Sequence, residues 1–177
     1  MLAHTDTPII GERVYLRHLE ATDATERYCT WLNDPEVNQY LETRQSTIPE
    51  LEQYIRDRRL REDCLFLGIF WKGTDEHIGN VKLEPIDRKV GTATIGILIG
   101  EKAFWGKGVA TEVINLVVDF VFETLKLHEV KLGVIAEHVV ARHAYEKCGF
   151  RIDRIDEKAI NHRGVLFDQV WMSRQRK

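Results

Sequence analysis

The spacing of apolar residues along the chain changes period several times, and each change predicts an element. Val14, Leu16 and His18 alternate with polar neighbours, the two-residue period of a strand at a sheet margin. Residues 1–11 ahead of it carry no period and are expected to lead in loosely. Asp23 can cap a helix over 24–32 whose apolar contacts are Tyr28, Trp31 and Leu32, and Asn33-Asp34-Pro35 ends it. Thr47-Ile48-Pro49-Glu50 has the form of a capping box with proline in the first turn, so a second helix should reach about residue 60. Leu51, Tyr54, Ile55 and Arg58 share one side of it. The polar connection 36–45, which holds Asn38, Gln39, Tyr40, Glu42 and Arg44, either crosses the surface or lines a substrate mouth.

Three strands are predicted next, at 64–71, 77–84 and 92–99. In the last, Ala93, Ile95, Ile97 and Ile99 fall on one face, and Gly96 on the other leaves the backbone bare. The helix 109–126 has apolar rows at 109, 113, 117, 121, 125 and at 110, 114, 118, 122, against a polar stripe of Glu112, Asn115, Asp119 and Glu123. It therefore buries most of its girth. A strand at 130–136 and a short helix at 138–148, closed by Gly149, follow. Two closing strands, 150–155 and 165–172, are joined by a polar loop through Asn161, His162, Arg163 and Gly164. Strand, helix, strand succession implies a right-handed parallel crossover, and the pattern is that of one α/β domain with a mixed sheet over residues 1–177.

Between strand 92–99 and helix 109–126 lies Glu101-Lys102-Ala103-Phe104-Trp105-Gly106-Lys107-Gly108, a glycine turn at a helix head. Glycines allow positive φ and close approach to bare amides, and the first helical N–H groups favour an anion, with a phosphate or pyrophosphate the natural guest. A strand-to-helix connection with no ligand has the same outline. The nucleotide P-loop does not fit, because Gly100 stands five residues before Gly106 and Gly108 replaces the hydroxyl residue. The dinucleotide fingerprint finds Thr111 at its third glycine.

Trp105-Gly106-Lys107-Gly108-Val109-Ala110 followed by Thr111-Glu112 resembles the acetyl-CoA pyrophosphate turn of the GNAT acetyltransferase superfamily, Q/R-x-x-G-x-G/A, with Trp105 in the Gln/Arg place. Tyr145-Glu146-Lys147-x-Gly149-Phe150 resembles a second signature of that superfamily, and the element order matches over residues 13–172. The resemblance is closest to the branch of ribosomal-protein N-terminal and nucleotide amino-sugar acetyltransferases, and it implies a mixed sheet of about seven strands splayed to admit coenzyme A, with four helices. It further implies that Trp105, Gly106, Lys107, Gly108, Val109, Ala110 and Thr111 hold the pyrophosphate. Leu98 and Ile99 would pair with the pantetheine arm and polarise the thioester, the arm lying between that strand and 130–136. Tyr145 matches the general acid. His138 and Ala141 stand where the family often has Asn and Ser against coenzyme A, so His138 can still donate a hydrogen bond and Ala141 cannot.

The residues add their own chemistry. A phenol of pKa about 10 can donate to a thiolate whose conjugate acid lies near 8.5. Glu84, at the end of a central strand, and Glu137, where the split should open, are the carboxylates placed to act as base. Asn38 and Tyr40 are the candidate acceptor contacts, and no His-backed thiol surrounds Cys148, so direct attack in a ternary complex is expected. The expected activity is acetyl-CoA-dependent N-acetylation of a primary amine. The "IGNVKL" and "IGILIG" strands look like those of amino-sugar acetyltransferases, which puts a nucleotide-linked amino sugar ahead of a peptide N-terminus and a small polyamine or antibiotic. A non-catalytic acyl-CoA-binding domain on the same fold and a plain nucleotide-binding domain are the alternatives.

Bulk properties bound the rest. A net charge of −3 suggests no nucleic-acid partner. Cys29, Cys64 and Cys148 are odd in number and widely spaced, which suits a reducing compartment rather than a disulfide or zinc framework. No metal is expected, because His138 and His143 do not share a helix face. No membrane span is expected either, and the setting is taken as cytoplasmic, the chain acting as monomer or homodimer.

Overall fold

In the computed structural model, which describes residues 7–41, 46–162 and 164–177, the chain folds as one mixed sheet with helices on both faces. The described strands are β1 (Ile9–Ile10), β2 (Val14–His18), β3 (Leu65–Trp71), β4 (Glu76–Asp87), β5 (Thr92–Ile99), β6 (Glu129–Ile135), β7 (Arg151–His162) and β8 (Val165–Gln175). They stand in the order β1-β2-β3-β4-β5-β6-β8-β7. All neighbours are antiparallel except β5 and β6. The helices are α1 (Glu26–Asn33), α2 (Ile48–Arg59), α3 (Val109–Glu123) and α4 (Val139–Lys147).

Strand alternation sorts apolar side chains into two cores. Leu67, Ile69, Val81, Leu83, Ala93 and Ile95 pack on α3 and α4 with Val113, Val117, Val121 and Tyr145. Phe66, and Leu98 at the margin, pack on the opposite face with Tyr28, Trp31, Leu51 and Ile55 of α1 and α2. Of the two rows expected to be apolar, Val109, Val113, Ile114, Val117, Val118, Val121 and Phe122 are buried in α3, Ala110 is partly buried, and Leu125 is buried just past the helix, which ends at Glu123 rather than near 126. Gly100 is tied to this packing: a Cβ there would lie 2.1 Å from the Trp31 ring.

Several boundaries differ from the expected ones. Ile9–Ile10 forms an eighth strand by pairing with Leu16 and Tyr15, where a loose lead was expected; two residues are too few to show a period. Thr25, not Asp23, caps α1 by accepting from the Tyr28 N–H, while Asp23 receives Arg17 in a bidentate pair. β7 runs to His162 instead of ending near 155. Its side chains are nearly all exposed, so no alternation betrays a strand that backbone pairing with β8 sustains through two irregularities. Of the calls on the polar connections, residues 42–45 and Arg163 lie outside the described residues, as do residues 1–6 of the lead.

The feature that opens the sheet is the partial pairing of β5 with β6. Only Thr92, Ala93 and Thr94 meet Glu129, Val130 and Lys131. Beyond them β5 stays with β4 to Ile99 and β6 stays with β8 to Ile135, so the two parallel strands part. An opening of this kind exposes strand edge to an extended ligand.

Candidate active site

At the open end of β5 the chain makes a short 3-10 turn and then the glycine turn. Gly106 and Gly108 have φ of 71° and 75°, which only glycine adopts without strain, and Gly108 caps α3 in the left-handed region. Among the described residues, the backbone N–H groups of Gly106, Lys107, Gly108, Val109, Ala110 and Thr111 have no acceptor in hydrogen-bonding geometry. A Cβ at Gly106 would meet nothing within 4 Å, so the turn can be approached closely. Unpaired N–H groups at a helix head are an anion cradle, and they fit the diphosphate that the sequence led us to expect there.

Two side chains brace this turn. Trp105 Nε1 donates to the Ile99 carbonyl at 2.8 Å, tying the turn to the end of β5. From β2, Arg13 donates through Nη1 to the Lys107 carbonyl at 2.8 Å and through Nε to Glu112 at 2.8 Å. Glu112 also accepts the Arg13 N–H at 2.8 Å. It is therefore not the solvated stripe residue that its helical position suggested. Burial alone would raise the Glu112 pKa, but these hydrogen bonds hold it below the ordinary value.

Tyr145 lies on the inner face of α4, 7% exposed, with its ring edge to Phe150 at 5.7 Å between centroids. Burial pushes its phenol well above the ordinary value, and the Cys148 thiol adds to the shift. His138, at the head of α4, stacks on Tyr40 with centroids 4.1 Å apart and planes at 20°. A candidate coenzyme contact and a candidate acceptor contact thus touch. Burial lowers the His138 pKa, leaving the imidazole neutral. Asn38 is buried, its amide donating to the Leu32 carbonyl at 2.8 Å, so it shapes the connection from inside.

On the α2 face of the sheet, Asn80, Lys82 and Glu84 follow one another along β4. Lys82 pairs in register with Gly96, whose missing side chain leaves open space beside it. Lys82 Nζ donates to the Tyr54 hydroxyl at 3.0 Å and to Glu84 at 2.8 Å. Arg58 reaches Glu84 at 3.0 Å and lies over the Tyr54 ring, and Arg61 joins the same carboxylate. Burial would raise the Glu84 pKa, but Lys82, Arg58 and Arg61 lower it on balance. That carboxylate is in place but is a poor proton acceptor. Glu137 is exposed just beyond β6. Sequence reasoning passed over Arg13, Glu112, Lys82 and Tyr54. Only Lys82 had a signal, its alternation with Asn80 opposite a glycine strand. Among the described residues, no group of three His, Cys, Asp or Glu could hold a metal ion, and no helix is long and apolar enough to cross a membrane.

Known proteins resemble this chain in sequence and in fold. Residues 13–151 match the acetyltransferase (GNAT) domain family. The chain is 32% identical to the probable N-acetyltransferase YjcK of Bacillus subtilis (strain 168), over 89% of this chain and 91% of that one. It is 30% identical to the uncharacterized N-acetyltransferase p20 of Bacillus licheniformis, over 92% of both chains. Among solved structures, the spermidine N-acetyltransferase of Vibrio cholerae, in complex with CoA and spermine, superposes with a TM-score of 0.84. That likeness comes at 26% identity and covers 92% of this chain and 95% of the other.

Proposed function

The chain belongs to the GNAT acetyltransferase family, and we propose that it moves the acetyl group of acetyl-CoA to a primary amine by direct attack within a ternary complex. The observation that carries this reading is the run of six uncommitted N–H groups from Gly106 to Thr111 at the mouth of a strand pair that parts after Thr94. In this reading Gly106, Lys107, Gly108, Val109, Ala110 and Thr111 hold the diphosphate through main-chain donors. Leu98 and Ile99 present strand edge to the pantetheine arm, Trp105 fixes the end of that edge, and His138 closes the far side.

The amine nitrogen attacks the thioester carbon, the C–S bond breaks, and the sulfur leaves as thiolate. Tyr145, whose raised pKa keeps the phenol protonated throughout the neutral range, steadies the thiolate by donating a hydrogen bond to it and passes on a proton that solvent at once replaces, so the phenol is restored. The amine proton leaves to solvent beside Glu137. Glu84 serves as counter-charge to Lys82, Arg58 and Arg61.

The acceptor we propose is an amine that also carries an anionic group, with a nucleotide-linked amino sugar leading. Lys82, Arg58 and Arg61 outnumber the carboxylates they contact, Glu84 and Asp63, and Lys82 faces the space beside Gly96. A surplus cation repels a polycation and attracts a phosphate. The second reading is a polyamine acceptor, favoured by the likeness to the spermidine enzyme. Turnover, read as free-thiol release, is expected with amino-sugar nucleotides and weak or absent with spermidine and with peptides. The reverse ranking removes the anionic-acceptor reading, and coenzyme A binding without turnover on any amine favours a non-catalytic acyl-CoA-binding domain. Three free cysteines suit a reducing compartment, and we propose a cytoplasmic setting.

A further inference from the structure

We propose that Arg13 is a positioning residue of the coenzyme site, an inference that rests on the coenzyme reading above: it orients the glycine turn and cancels the charge of Glu112 beneath it. Two observations on opposite sides of the guanidinium carry this. On one side Nη1 holds the Lys107 carbonyl at 2.8 Å. In a trans peptide the C=O and the following N–H point in opposite directions, so a carbonyl turned in toward Arg13 turns the Gly108 N–H out toward the ligand.

On the other side sits a carboxylate where an anion is to bind. Glu112 belongs to the first turn of α3, its side chain is 14% exposed, and its lowered pKa keeps it ionised at neutral pH. Left alone it would repel a diphosphate one helical turn away. Arg13 is the cation paired with it among the described residues, at 2.8 Å. The remaining terminal nitrogen, Nη2, lies 3.7 Å from where a Cβ on Gly108 would stand, beside the helix cap. Glu112 in turn fastens the Arg13 and Val14 N–H groups, at 2.8 and 3.4 Å, which fixes where the guanidinium starts from.

The test is calorimetric binding of coenzyme A to the full chain, with steady-state kinetics in acetyl-CoA. Arg13→Met is expected to raise the coenzyme A Kd and the acetyl-CoA KM about tenfold while kcat at saturation stays within about twofold. Glu112→Gln keeps an oxygen for the two backbone N–H groups and removes the charge; it gives up the acceptor of Arg13 Nε, but the Lys107 carbonyl still holds Nη1, so coenzyme A should bind about as tightly as to wild type. The double variant should bind at least about threefold tighter than Arg13→Met alone, since the repelling charge is gone. A purely structural role predicts the opposite signs: Glu112→Gln weakening binding as much as Arg13→Met, and the double variant weaker than either. Those results, or an Arg13→Met Kd within about twofold of wild type, overturn the inference. Should Arg13→Met not fold, Arg13→Lys decides: it keeps the charge without the two-sided fork and should bind severalfold more weakly, and a wild-type Kd overturns the clamp. A folded wild type that binds no coenzyme A overturns the coenzyme reading itself, whereas wild-type binding untouched by the substitutions overturns only the part given to Arg13.

Discussion

On the α3 side of the opening the groups we propose to face the ligand are main-chain N–H groups of consecutive residues, Gly106 to Thr111. On the α2 side they are side chains from three segments: Tyr54 and Arg58 of α2, Arg61 after it, and Lys82 with Glu84 on β4. A cradle made of backbone depends on conformation, so the side chains of the turn can vary as long as Gly106 and Gly108 keep positive φ. A wall made of side chains depends on identity, and each substitution there changes charge or reach. The coenzyme half is therefore expected to respond to backbone strain and the acceptor half to single charges.

Four measurements press on that contrast. The largest effect belongs to neither half but to the group between them. Tyr145→Phe should lower kcat by about 100-fold or more while coenzyme A Kd stays near wild type, since only the proton is lost. An unchanged kcat takes the acid role from Tyr145. Next, Gly108→Ala forces a Cβ into φ of 75° and is expected to raise coenzyme A Kd about tenfold, a strain of roughly 1–2 kcal/mol, with acceptor KM unmoved. Lys82→Met should do the converse, raising acceptor KM severalfold and leaving coenzyme A Kd alone. If both constants moved together in either variant, the division into two halves would fail.

The smallest effect is on stability against pH. Glu112, Glu84 and Asp23 all have pKa values that remain below ordinary despite burial, through their bonds to Arg13, to Lys82 with Arg58 and Arg61, and to Arg17 respectively. Their stabilisation is complete above the unfolded carboxylate pKa of about 4 and is lost as pH falls through the lower folded values. Tm should accordingly fall between pH 5 and pH 3, and the fall should be shallower in Glu84→Gln than in wild type. A Tm insensitive to pH over that range contradicts the pairing.

The chain's own order of residues was enough for the four helices, seven of the eight described strands and the glycine turn, because each rests on local period or local backbone freedom. The backbone freedom of Gly106 and Gly108 and the inward face of Tyr145 are legible for the same reason: they follow from neighbours within one turn or one helix. What the linear order could not supply lies in pairings between distant segments. Ile9–Ile10 becomes a strand only because Leu16 and Tyr15 are there to receive it, and β7 persists to His162 only along β8. Glu112 reads as a solvated stripe position until Arg13, ninety-nine residues earlier, is brought against it. Glu84 reads as a free carboxylate until α2 sets Arg58 beside it. Local conformation is encoded locally, whereas the charge state and reach of a side chain depend on which remote groups the sheet carries to it.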